Sequence, residues 1–145
     1  MADPSPLTPS ILAFLAPPRF AALASLDRNG APRQAVLWYR LDPDGTLVVN
    51  SAAGRTWPAN LRRDGRVALA VTAGDDGYSW VGMTGVVTDV VDDQAVAQAD
   101  IAGLARRYHA DDPDAAERLI SEVFQHQHRV SFRIRVVGIH EHMGG

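Results

Sequence analysis

FAALASLDRNGAPRQAVLWYRLDPDGTLVVNSA, residues 20–52, is the stretch on which the fold turns. Two strand-like runs, 20–27 and 31–41, flank Asn29-Gly30, a pair that supplies the positive φ of a tight hairpin turn. Asp42-Pro43-Asp44-Gly45 turns the chain again into a third run, 46–52. The pattern predicts three antiparallel strands in a meander. On its N-terminal side, Thr8-Pro9 predicts a capped helix over 10–16 that stops at Pro17-Pro18. On its C-terminal side a very short helix is expected over 58–63. Residues 66–73 and 78–91 then read as strands four and five, and Gly82 and Gly85 predict a bulge or bend in the long fifth strand. The period changes at Asp92. Residues 92–110 carry apolar side chains near helical spacing, and 112–125 form a second helix with Asp112 as cap and Pro113 first. Residues 129–142 alternate again as a sixth strand.

These elements predict a mainly β fold with helices, a six-stranded antiparallel split β-barrel occupying a single domain over 1–145. Closing such a sheet removes its edges, and a small barrel fills its own interior. A ligand site is therefore expected on the outer surface or between subunits.

The 145 residues are 46% hydrophobic and 21% charged, which is globular composition. A net charge of −3 argues against a nucleic-acid partner. The chain has no cysteine, so disulfide and thiolate chemistry are excluded, in keeping with a cytoplasmic location. The N-terminal segment lacks the basic start of a signal peptide, and its apolar run is too short to span a membrane.

No G-x-S-x-G, H-E-x-x-H or P-loop motif is present, and no catalytic residue stands out. His126 with His128 and His140 with His142 form two H-x-H pairs, but no carboxylate is spaced to complete a site, and no metal is expected. The acidic pairs fit turns and helix starts. The segment GRTWPANLRRDGR, 54–66, is more informative. Thr56 reads as the cap of a helix with Trp57 first and Pro58 second, since a first-turn proline loses no hydrogen bond. Free amides at that start and the fork of Arg55 would hold an anion, with Asn50 and Ser51 on the preceding strand end. The alternative is a plain helix start with a solvated arginine. Residues 35–39 are consecutively apolar or aromatic, so strand two should be covered on both faces, by a second subunit or by a flat ring ligand.

The order of these pieces resembles the pyridoxamine 5′-phosphate oxidase-like split-barrel flavoproteins. It is similar in particular to their probable F420 (deazaflavin)-dependent reductases. NLRRDGRVAL, 60–69, is the most specific match, with Gly65 where the family commonly has proline. The resemblance implies a homodimer with two cofactor sites at the subunit interface. It implies that Val36, Leu37 and Trp38 line the cofactor ring, and that Asn50, Ser51, Arg55 and Thr56, with Trp57 and Asn60 in the same segment, hold its polar tail. Tyr78, Trp80 and Arg129 would approach from the partner. Relatives commonly place a phosphate-contacting lysine where this chain has Trp57. The implied activity is hydride transfer from reduced F420 to a small unsaturated or oxidised acceptor, with the cofactor carrying the reactive carbon. The alternatives are an FMN-dependent oxidoreductase of the same fold, or a non-catalytic carrier of a cofactor or tetrapyrrole.

Overall fold

A computed structural model describes residues 5–74 and 76–143. The extreme N-terminus (1–4) and Asp75, part of the turn expected between strands four and five, lie outside them. In chain order the elements are α1 (Pro9–Leu15), β1 (Ala21–Leu26), β2 (Pro32–Leu37), β3 (Arg40–Leu41), β4 (Thr46–Ala52), α2 (Thr56–Arg63), β5 (Arg66–Thr72), β6 (Trp80–Val91), α3 (Gln94–Tyr108), α4 (Pro113–Glu122), a 3-10 turn at Phe124–His126 and β7 (Arg129–His142). The strands form one antiparallel sheet in the order β2-β1-β5-β6-β7-β4-β3.

The sheet has seven strands rather than the expected six, and 20–52 is not a continuous meander. β1 and β2 do form the hairpin, with Ala24 opposite Gln34. The run 31–41 then breaks at Trp38 and Tyr39, and its remainder, β3, pairs with β4 at the other edge of the sheet. The break has a physical cause. The Tyr39 amide donates to the Tyr108 hydroxyl (3.1 Å), and its carbonyl accepts from Arg107 Nε (3.2 Å). Side chains of α3 thus replace a strand partner. The buried Tyr39 ring is anchored by its hydroxyl, which donates to the Leu15 carbonyl (2.8 Å). Leu37 and Arg40 are three Cα steps apart, so the sheet's two edges approach within about 11 Å. An open sheet whose first and last strands are consecutive in the chain has to curl.

The curled sheet encloses a core of Leu23, Leu47, Val49, Leu69, Met83, Phe132 and Ile134, sealed by Ile11 and Leu15 of α1 and by Trp57 and Leu61 of α2. Thr8 caps α1, its hydroxyl accepting from the Ile11 amide, and Asp112 caps α4. The fifth strand bends as its sequence implies, but only one glycine is responsible. Register shifts fall at Thr84/Gly85 and Val87/Asp89, not at Gly82. A Cβ on Gly82 would lie 2.3 Å from Nε2 of His140, so this glycine makes room for an imidazole across the neighbouring strand. Helix α3 packs over β4 and β7, which buries Asn50, Arg129 and Ser131.

Candidate functional site

The helix α2 begins one residue earlier than its sequence suggests. Arg55 is the N-cap and offers no side-chain cap; Thr56 is the first helical residue, and Trp57 and Pro58 complete the first turn. Proline is still accommodated there because first-turn amides have no helical partner. The shift aims the arginine, rather than the threonine, at the space before the helix.

That space is a pocket of about 220 Å³. Val36, Leu37 and Trp38 from the end of β2 line one side, Asn50 and Ser51 from β4 and Arg55 and Trp57 from the start of α2 another. Ile101 and Leu104 of α3, Val123, Phe124 and Gln127 after α4, and Arg129 opening β7 complete it. Trp38 is held by stacking on Tyr108, with ring centroids 5.1 Å apart and planes 12° from parallel, and by an edge contact to Phe124. Its second cover is therefore the helical pair of its own subunit. Trp57 is buried against Phe132, at 5.8 Å, as a floor between pocket and core.

The electrostatics of the pocket come from Arg129. Only 5% of it is exposed, and no carboxylate touches it among the described residues. Nε donates to Asn50 Oδ1 (3.0 Å), Nη1 donates to Gln127 Oε1 (2.6 Å), and the guanidinium lies 4.9 Å over the Phe124 ring. All three partners are neutral. Burial, and secondarily the charge of Arg55, push the guanidinium down to about 10. Arg55 is exposed and, among the described residues, makes no side-chain hydrogen bond or ion pair. Six of the other twelve arginines are ion-paired: Arg62 with Asp92, Arg66 with Asp64, Arg33 with Asp27, Arg106 with Glu117, and Arg40 and Arg133 with Asp100. Two guanidiniums without counter-ions facing an aromatic-walled pocket form a donor set for an anion.

The structure thus brings Val36, Leu37, Trp38, Asn50, Ser51, Arg55, Trp57 and Arg129 together within one chain. Thr56 and Asn60 border an adjoining groove of about 560 Å³, shared with Arg28, Arg55 and Arg63. The polar atoms of Asn60 are committed there: Nδ2 donates to Ser25 Oγ (3.1 Å) and Asp27 Oδ1 (2.8 Å), and Oδ1 accepts from Arg63. Tyr78 and Trp80 lie elsewhere, edge-on to His142 and His140. Sequence reasoning missed Phe124, Gln127 and the α3 residues, because the wall they form exists only once a helical pair folds back over β4 and β7. One signal was available. Asp100 interrupts the otherwise apolar face Ala97, Ile101, Leu104 of α3, and an acid in that position has to have buried partners.

An open antiparallel sheet curled into a half-barrel, with an arginine-lined pocket beside its helix-covered strands, defines the class. The profile of the pyridoxamine 5′-phosphate oxidase family matches residues 7–142, and the chain belongs to that family of oxidoreductase-type, cofactor-binding proteins. No curated protein matches the chain. Among solved structures it is similar to an F420 reductase (20% identity, 97% of this chain and 98% of that one, TM-score 0.70). It is similar also to a conserved hypothetical protein from Mycobacterium tuberculosis (24% identity, 92% and 82%, TM-score 0.73). A third is HutZ, the heme storage protein from Vibrio cholerae (17% identity, 93% and 94%, TM-score 0.66). At these identities the likeness is one of fold. No helix among the described residues is long and apolar enough to cross a membrane.

Proposed function

We propose that the chain is an oxidoreductase that binds the deazaflavin F420, with its ring against Val36–Trp38 and its anionic tail on Arg55 and Arg129. The observation that carries this reading is the pair of uncompensated arginines at one end of an aromatic-walled pocket. Bound reduced deazaflavin would supply the hydride for a small oxidised or unsaturated acceptor. The residues of this chain bind, orient and exclude water: Trp57 and Ile101 close the apolar floor, Arg129 fixes the anion, and Trp38 stiffens the wall through Tyr108. Such a division of labour requires no nucleophile or protein acid in the pocket.

The adjoining groove favours F420 over FMN. It continues the positive surface from Arg55 to Arg63 and Arg28, and Asp27 at its border is committed to Arg33 and Asn60. A phosphodiester tail ending in carboxylates needs that extension, whereas the single phosphate of FMN needs only the pocket. FMN is the second reading, because the compact pair Arg55 and Arg129 is by itself sufficient for one phosphate.

The pocket also supports a shared site. At about 220 Å³ it falls below the roughly 300–1,000 Å³ of drug-sized ligand sites, so one subunit supplies only part of the wall. Val36 beside it is 74% exposed. The outer face of β1 and β5 is smooth, built from Ala22, Ala24, Ala68 and Ala70 and bordered by the His140 ring, with Val36 and Val137 exposed at its margins. A second copy of the chain is the proposed cover, and sedimentation showing a monomer at tens of micromolar would overturn it.

Titration with F420 and FMN, followed by turnover of reduced cofactor with candidate acceptors, tests the assignment. Saturable F420 binding with acceptor-dependent oxidation supports it. Preference for FMN reverses the cofactor order, and tight binding without turnover leaves a carrier.

A further inference from the structure

Beneath the pocket runs a buried chain of hydrogen bonds that ends on a carboxylate. Asp100 Oδ2 accepts from Ser131 Oγ (2.7 Å). Ser131 Oγ in turn accepts from Asn50 Nδ2 (2.8 Å), and the same nitrogen donates to the Ala97 carbonyl (3.0 Å). Asn50 Oδ1 is left to accept from Arg129 Nε. Asp100, Ser131, Asn50 and Arg129 are all buried.

Proton counting gives the chain a direction. A hydroxyl has one proton to donate, and Ser131 gives it to a group that can only accept. Towards Asn50 the serine can therefore only accept, which, with the Ala97 carbonyl, turns the amide nitrogen to Ser131 and the amide oxygen to Arg129. Without the carboxylate, Ser131 is free to donate to Asn50. Only the Ala97 carbonyl would then oppose a flipped amide, which would present its NH₂ to a guanidinium that also only donates and take the inner anchor from Arg129.

We propose that Asp100, acting through Ser131 and Asn50, is the positioning residue that holds Arg129 aimed into the pocket with its charge intact. The distance matters as much as the connection. A carboxylate in direct contact would position the guanidinium but neutralise it. A neutral amide two hydrogen bonds from the acid positions it and leaves the charge for the ligand. Arg40 Nη1 (2.8 Å) and Arg133 Nη1 (3.2 Å) meanwhile donate to Asp100, so the acid's own charge is matched away from the pocket.

The inference rests on the pocket binding a phosphate-bearing ligand, and its test separates the two claims. Affinities of FMN and riboflavin, and of F420 and its phosphate-free chromophore, are measured for wild type, Ser131→Ala and Ser131→Thr. Within each pair the difference isolates the phosphate. Wild type should prefer the phosphate-bearing member. Ser131→Ala should reduce that preference about tenfold while leaving the phosphate-free affinity unchanged, and Ser131→Thr, which keeps the hydroxyl, should restore it. Asn50→Asp, which brings a carboxylate onto Arg129, should abolish the preference. A wild type without phosphate preference would overturn the pocket reading and this inference with it. A clear wild-type preference that Ser131→Ala retains would overturn the positioning role alone. Equal weakening of both members would show that the chain merely supports the fold, and would overturn it too.

Discussion

Arg129→Gln should make the unliganded protein more stable and the ligand-binding protein worse. Burial, with a smaller contribution from Arg55, lowers the guanidinium from its ordinary value to about 10. Each pKa unit corresponds to about 1.4 kcal/mol, so holding this charge in place costs on the order of 3 kcal/mol. A neutral glutamine removes that cost. Its amide can still donate to Asn50 Oδ1, but the contact to Gln127 and the stacking on Phe124 are lost, together worth on the order of 1–2 kcal/mol. The balance favours the variant by about 1–2 kcal/mol. At roughly 2–4 °C per kcal/mol for a chain of this size, Tm should rise by about 2–8 °C. Thermal melts with and without FMN, F420 or inorganic phosphate provide the assay. The wild type should gain Tm with the phosphate-bearing ligand and the variant should not. A variant that melts lower than wild type without ligand, yet responds to these ligands as wild type does, would refute the idea that Arg129 is an unfavourable charge kept for an anion.

Arg55→Ala should weaken phosphate-bearing ligands roughly ten- to a hundredfold with little change in Tm, and added salt should weaken wild-type binding more than that of the variant; isothermal titration at two ionic strengths checks both. Trp57→Ala opens a cavity against Phe132 and should cost about 3–5 kcal/mol in denaturant unfolding, because this ring is part of the core as well as the pocket floor. Asp64, whose carboxyl is held down to about 2 chiefly by its hydrogen bond from Arg66, contributes fully above the ordinary carboxylate value of 3.8 and loses that contribution as pH falls towards 2. Carboxyl-carbon NMR across that range should show it titrating below the other exposed aspartates.

Local signals carried much of the fold. Asn29-Gly30, Asp42–Gly45, Thr8-Pro9 and Asp112-Pro113 specify turns and caps through backbone preferences that need no distant partner, and each element falls where they imply. The break at Trp38–Tyr39 was not legible for the opposite reason. Nothing in VLWYRL distinguishes a straight strand from one whose middle peptide groups are taken over by Arg107 and Tyr108, some 70 residues away. Residues 35–39 accordingly looked in need of cover by a second subunit or a ring ligand; the helices of the same chain cover Trp38, and of these five residues Val36 is the exposed one. The pocket-lining residues were legible at Arg55 and Asn50, where helix-start and strand-end chemistry is local. The helix-borne wall and Asp100 depend on tertiary packing.

An acidic chain can still present a positive pocket. With a net charge of −3 the molecule as a whole repels anions weakly, but exposed charges beyond a Debye length of about 8 Å are largely screened. What a ligand meets at close range is set by which charges are already paired. The acids closest to this region each have an arginine of their own: Asp27, at the groove, has Arg33, and Asp100, behind Ser131 and Asn50, has Arg40 and Arg133. Those pairings remove the carboxylates that would otherwise fold onto Arg55 or Arg129. The positive pocket is therefore produced as much by where the acids are tied down as by where the two free arginines sit. Replacing Arg33 by glutamine should release the Asp27 carboxylate at the groove and weaken the binding of a phosphate-bearing ligand in isothermal titration without touching the ligand; unchanged affinity would refute this.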